Sequence, residues 1–118
     1  MKKISLYHNP RCSKSRRAVE ILDSLDIKYD VIEYIKKPLS KNDLINLLSK
    51  LGMGPIDIIR TNEEEFKASK LTNEAGRGEL INLILKYPKI LQRPIISTDE
   101  EAVIGRPLEN IHKLLNEE

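Results

Sequence analysis

A chain of 118 residues suits one domain and leaves no room for two. With 20 basic and 18 acidic residues, net +2, it is too evenly charged for a dedicated DNA or RNA binder. At 4% aromatic content it also lacks the rings that a base-stacking platform takes. A single cysteine excludes an internal disulfide and a cysteine-rich metal site, and no apolar run approaches the ~20 residues of a membrane span. Met1-Lys2-Lys3 leads straight into strand-like residues rather than a signal-peptide core. The expected setting is therefore the reducing cytoplasm, with no bound metal, no nucleic-acid partner and no membrane.

Residues 3–8 alternate apolar and polar and predict a strand, which Asn9-Pro10 breaks. Ala18, Val19, Ile21, Leu22 and Leu25 then recur at helical spacing and predict an amphipathic helix over 14–25. Residues 29–34 read as a second strand, so the first third is a βαβ unit with parallel strands and a right-handed crossover. Ser40 with Asp43 resembles a helix start, although a capping box proper has Glu or Gln at the later position. Leu44, Ile45, Leu47, Leu48 and Leu51 would form that helix's buried stripe, and Gly52 its end. Short helices are expected over 54–60 and 63–70. Another, over 77–86, carries Leu80, Ile81, Leu83, Ile84 and Leu85 and is stopped by Pro88.

Residues 94–97 and 102–104 are short β-rich runs flanking a hairpin turn at 98–101. Pro107 can occupy the first turn of a last helix bearing Leu108, Ile111, Leu114 and Leu115. The order is βαβ, a helical insert, then ββα. This α/β order is the connectivity of a thioredoxin or glutaredoxin core, a single domain over 1–118 with helices inserted at about 40–92. Ile4, Leu6, Val31 and Ile95 are expected in its sheet.

Cys12 falls just after the first strand, where the first helix begins. Free N–H groups and the positive end of the helix dipole stabilise an anion there, and basic neighbours depress a cysteine pKa further. Arg11, Lys14, Arg16 and Arg17 crowd around it with no acid before Glu20, and His8 lies one loop upstream. A lone cysteine is commonly a small buried hydrophobe, but these neighbours make poor company for an apolar core. The expectation is a partly exposed, thiolate-forming sulfur. Cys12-Ser13-Lys14-Ser15 is a C-x-x-C redox motif with oxygen in place of its second sulfur. Ser15 cannot close a disulfide. Its hydroxyl can donate to the thiolate or to a bound oxyanion, or it can serve the helix's first turn.

The run Tyr7-His8-Asn9-Pro10-Arg11-Cys12-Ser13-Lys14-Ser15-Arg16 closely resembles the active-site loop of the glutaredoxin-dependent arsenate reductases. Arg93-Pro94-Ile95 and Gly105-Arg106-Pro107 match that family's two later landmarks, and Arg60 lies where the family has another arginine. The resemblance implies that Cys12 attacks arsenate, or a similar oxyanion, to form a thiolate–arsenate ester. No cofactor would be bound. Glutathione or another low-molecular-weight thiol would serve as co-substrate, and glutaredoxin or another thiol reductant would clear the resulting mixed disulfide. It further implies that Arg60, Arg93 and Arg106 hold the oxyanion, that His8 and Ser15 tune the thiol, and that Pro94 is the cis-proline of thioredoxin-like folds. Guanidinium chemistry suits the arginine role, since its planar fork makes bidentate contacts to an oxyanion. Each arginine also has a plainer reading, as a cation ending a helix at Arg60 or as a surface residue beside a strand at Arg93 and Arg106. His112 reads only as a polar position in the last helix.

The chain is shorter than the family's longer members, ending soon after the last helix, and its active-site loop is richer in positive charge than some. Two rival functions follow from the same motifs. One is a monothiol glutaredoxin-like oxidoreductase acting on another disulfide, which arsenite production would distinguish. The other is a Spx-type regulator that binds RNA polymerase. That family shares the Arg-Pro-Ile landmark, but its redox switch generally uses the C-x-x-C that Ser15 interrupts.

Overall fold

Leu6 is fully buried between two half-buried neighbours in β1 (Ser5–Tyr7), the side-to-side alternation of a strand with one face on a core. The computed structural model describes residues 3–116. Its chain divides into two compact units, one built from the residues up to Lys37 and from Arg93 onward, the other from Pro38–Gln92.

In the first unit, β1, β2 (Asp30–Ile32), β3 (Ile95–Ser97) and β4 (Ala102–Ile104) form one sheet in the order β2-β1-β3-β4. β1 runs parallel to β2, with Leu6 opposite Val31, and antiparallel to β3, with Leu6 opposite Ile96. β3 and β4 are an antiparallel hairpin closed by the Thr98 N–H on the Glu101 carbonyl at 2.7 Å. Helices α1 (Ser13–Ser24) and α5 (Glu109–Asn116) supply the apolar faces that cover the sheet. Ala18 and Leu22 of α1, Ile111, Leu114 and Leu115 of α5, and Ile4, Leu6 and Ile96 make a single buried cluster. This is a thioredoxin-like α/β fold, and it leaves the end of β1 and the start of α1 beside the loops that precede β3 and follow β4.

The second unit is helical. α2 (Lys41–Leu51) opens with a reciprocal cap: the Asp43 N–H donates to Ser40 Oγ at 3.1 Å, and the Ser40 N–H donates to the Asp43 carboxylate at 3.4 Å. Aspartate, one methylene shorter than the usual glutamate, thus still completes the box. Gly52 ends α2 at φ +67°, a conformation in which a Cβ would be strained. α3 (Glu64–Ser69) follows, and then α4 (Arg77–Lys86), which packs on α2 and on two 3₁₀ turns, Pro55–Ile58 and Pro88–Ile90. The residues just past those turns pair through an Ile59–Leu91 bridge, with the Arg60 N–H on the Ile90 carbonyl at 2.6 Å.

The strands are three residues each, shorter than the alternation suggests. Val31 is half exposed because β2 lies at the sheet's edge. Ile45, read from the sequence as part of a buried stripe, is exposed, and so is Leu25, which shares the helical spacing of α1. Leu25 is the residue beyond the last turn of α1, and Ile45 lies on the flank of the narrower Leu44, Leu47 and Leu48 stripe. Residues 54–60 form a 3₁₀ turn and a bridge rather than one helix. Pro107 lies outside α5, which begins at Glu109. The Asn110 amide donates to the Ile104 carbonyl at 3.0 Å and to the Arg106 carbonyl at 3.4 Å, holding residues 104–108 as a loop ahead of the helix.

Candidate active site

The chain turns from β1 into α1 through Asn9 and Pro10, and the turn is self-bonded. The Cys12 N–H donates to the Asn9 carbonyl at 3.0 Å, and the Arg11 N–H donates to the Asn9 side-chain oxygen at 3.1 Å. Cys12 is the N-cap of α1, extended at φ −94° and ψ 123°, and its carbonyl accepts the Arg16 N–H at 3.0 Å. The partly exposed sulfur therefore sits where the helix's first amides point outward.

Two arginines from the far end of the sequence meet it there. Arg106 Nη2 lies 3.5 Å from Cys12 Sγ, and Arg106 Nε donates to the Arg93 carbonyl at 2.7 Å. The Arg93 guanidinium also hydrogen-bonds the sulfur. Both arginines precede cis prolines, at Arg93–Pro94 and Arg106–Pro107. Gly105 sets the spacing between these loops. Its N–H donates to the Pro94 carbonyl at 2.8 Å, and a Cβ at this position would fall 2.9 Å from Pro94 Cγ and 3.3 Å from the Ile111 side chain. Neither the proline ring nor the buried isoleucine can swing aside. Gly105→Ala is expected to lower stability by about 1–3 kcal/mol through overpacking, measured as a lowered urea midpoint at unchanged slope.

Partial burial, the largest single influence on Cys12, pushes its pKa up. The Ser15 amide, the hydrogen bond from Arg93, the Lys14 amide and the Arg93 charge together outweigh it and bring the thiol down from its ordinary value to about 7. Alkylation of Cys12 by a neutral reagent is accordingly expected to rise with pH through a midpoint of about 7. A midpoint near that of an ordinary thiol, about 8.5, would show that the sulfur is not activated.

His8 and Ser15 form a separate pair one layer behind the sulfur. His8 Nδ1 and Ser15 Oγ lie 2.6 Å apart, and Ser15 Oγ also accepts the Asn9 N–H at 3.0 Å. Ser15 is fully buried. Burial lowers the His8 pKa below its ordinary value, Glu33 opposes that shift and Arg16 adds to it. The cations nearest in sequence are placed differently from Arg93 and Arg106. Arg16 donates to the Pro10 carbonyl at 2.8 Å and Arg17 lies 3.9 Å from Glu20. Arg60 belongs to the helical unit, where its Nε is 3.5 Å from Glu63. His112 is exposed on α5. Gly105 and Glu33 had no part in the site as read from the sequence, and Asn9 figured there only as the break after the first strand and within the quoted loop. Gly105 stood inside a recognised motif, but its role depends on a contact with Pro94 that no local pattern encodes.

The ArsC family model matches residues 7–114, a span that takes in His8, Cys12, Ser15, Arg60, Arg93 and Arg106. The chain belongs to the ArsC family. Among its relatives are the arsenate reductases of Neisseria meningitidis serogroup A, 35% identical over 98% of this chain and 100% of that one, and of Haemophilus influenzae, 33% identical over 95% and 98%. The solved arsenate reductase from Vibrio cholerae superposes with a TM-score of 0.89 at 31% identity, covering 95% of this chain and 97% of that one. This ArsC chain thus spans nearly the full length of these relatives. Among its described residues no helix is long and apolar enough to cross a membrane, and no three His, Cys, Asp or Glu side chains gather as a metal site would.

Proposed function

We propose that this protein is an oxidoreductase that reduces arsenate to arsenite through Cys12, using an external thiol as reductant. The observation that carries the reading is the meeting of Arg93 and Arg106 at a thiol whose pKa is about 7. A thiolate alone would serve any disulfide chemistry, but two guanidinium groups around it suit an oxyanion in which charge builds up as sulfur attacks. Relatives bearing the name arsenate reductase, matched over nearly their whole length, support the same reading.

In this mechanism the Cys12 thiolate displaces hydroxide from As(V), and Arg93 and Arg106 neutralise the remaining oxygens. Reduction to As(III) takes two electrons, which two thiols supply by joining as one disulfide. The chain has a single cysteine, so the second sulfur comes from outside, from glutathione or a comparable small thiol, and glutaredoxin or a similar reductant then frees Cys12. Ser15 and His8 hold the loop behind the sulfur, and Pro94 shapes the wall opposite it. No bound cofactor takes part.

The test is arsenite formation by the purified protein supplied with arsenate, glutathione and glutaredoxin, with omission of each component in turn. Production of arsenite only in the complete mixture supports the reading. Disulfide exchange at Cys12 without arsenite would favour a glutaredoxin-like oxidoreductase instead.

A further inference from the structure

Arg106 reaches Cys12 from an exposed loop, with Nη2 3.5 Å from Sγ and Nε on the Arg93 carbonyl at 2.7 Å. Fixing a long, solvent-facing side chain costs rotamer freedom, so it keeps one direction only where its backbone is itself held. The next residue, Pro107, has no N–H to tie the chain down. On one side of the loop the Gly105 N–H donates to the Pro94 carbonyl at 2.8 Å. On the other, the Asn110 side-chain amide donates to the Ile104 carbonyl at 3.0 Å and to the carbonyl of Arg106 itself at 3.4 Å. Asn110 is anchored in turn. It lies in the first turn of α5, its N–H donates to the Pro107 carbonyl at 3.0 Å, and the next residue, Ile111, is fully buried in the core. An amide NH₂ carries two donors, which matches two carbonyls. A leucine of similar size would offer none.

We propose that Asn110 is a positioning residue of the active site: its amide clamps the two carbonyls that bracket Gly105 and so fixes the Arg106 guanidinium at the thiol. The proposal rests on the reading of Arg106 as an oxyanion-holding group and adds what keeps it in place. Asn110 acts through Arg106, not on the sulfur. Its loss leaves the charge of Arg106 in the chain but frees it to leave the thiol, so the effect disappears once Arg106 is gone.

The first measurement uses no arsenate, so its failure and the failure of arsenate reduction are separable. Full-length protein is alkylated with anionic iodoacetate and with neutral iodoacetamide, at a pH well above the thiol's, where the sulfur is ionised in every variant. In both reactions the Cys12 thiolate displaces iodide from carbon. The ratio of the two rates therefore reads the positive charge beside the sulfur and cancels the thiol's own reactivity. Arg106→Gln is expected to lower that ratio about threefold, the scale of one exposed charge pair. Asn110→Leu should lower it towards the same value, and should lower it no further when added to Arg106→Gln. Asn110→Gln, which keeps both donors, should restore part of it. Leu115→Ala, which trims the buried face of the same helix, should cost stability and keep the ratio. Should Asn110→Leu fail to fold, Asn110→Ser, too short to span both carbonyls, applies the same test. With arsenate, the Asn110 variants should lose on the order of 10–10²-fold in kcat/KM, as a misplaced group does. A lowered ratio in a protein that forms no arsenite would uphold the clamp and remove the arsenate reading. The proposal is overturned if the Asn110 variants keep the wild-type ratio, or if they lower it equally with and without Arg106. An unchanged ratio in Arg106→Gln, or a ratio lost in Leu115→Ala as well, overturns it too.

Discussion

Cys12→Ser is expected to abolish arsenite formation, a fall on the order of 10⁴–10⁶-fold. The substitution barely changes side-chain volume at the N-cap of α1, where serine is a favoured residue, so the fold should survive and the loss will report chemistry. A hydroxyl is far less acidic than a thiol brought to about 7, and thus supplies almost no anion at neutral pH. It also cannot form the disulfide that carries away two electrons. Turnover by the variant, beside its thermal unfolding midpoint, separates the two effects. Arsenite formed at the wild-type rate by a folded Cys12→Ser protein would remove Cys12 from the mechanism.

Arg106→Gln is expected to lower arsenate turnover about 10²–10³-fold, the usual cost of losing one donor to a developing oxyanion. Arg93→Gln should do the same and should also raise the Cys12 pKa, because Arg93 both hydrogen-bonds the sulfur and attracts its charge. The two influences separate with pH. Well above the thiol pKa of both proteins the sulfur is ionised in each, and the loss that remains there belongs to the oxyanion. Alkylation by a neutral reagent at that pH should match the wild type. Lysine at either position should restore turnover in part, keeping the charge and losing the bidentate fork. If both glutamine variants turn over arsenate like the wild type, the oxyanion site is misplaced, and exchange with some other disulfide becomes the better account.

The place of the Cys12 sulfur was legible because its setting is local. A strand ending in Asn9-Pro10, followed at once by an amphipathic helix, puts Cys12 at that helix's start whatever the rest of the chain does. The cap of α2 was nearly as legible, since Ser40 and Asp43 are three residues apart and need no partner from elsewhere. The cationic character of the loop was also plain, but which cations act on the sulfur was not. Arg11 adjoins Cys12 in sequence and Arg16 lies four residues on, yet Arg16 turns back to the Pro10 carbonyl, and the guanidinium groups that reach the thiol come from Arg93 and Arg106.

What the sequence determined by itself was the order of elements, the thioredoxin-like connectivity and the place of Cys12, because hydrophobic period, helix caps and turn residues act over a few positions. The tertiary structure decided which side chains share the site and which stripe residues are buried. Pairing β1 with β3 and β3 with β4 brings the loops around Pro94 and Gly105 against the start of α1. The missing Cβ of Gly105 lets them approach so closely. Ile45 and Leu25 fit their helical patterns and are nevertheless exposed, because a periodic pattern fixes a face while the width of the packed neighbour fixes how much of that face is covered. Long-range contacts of this kind depend on strand register and backbone separation, which no local window of the sequence contains.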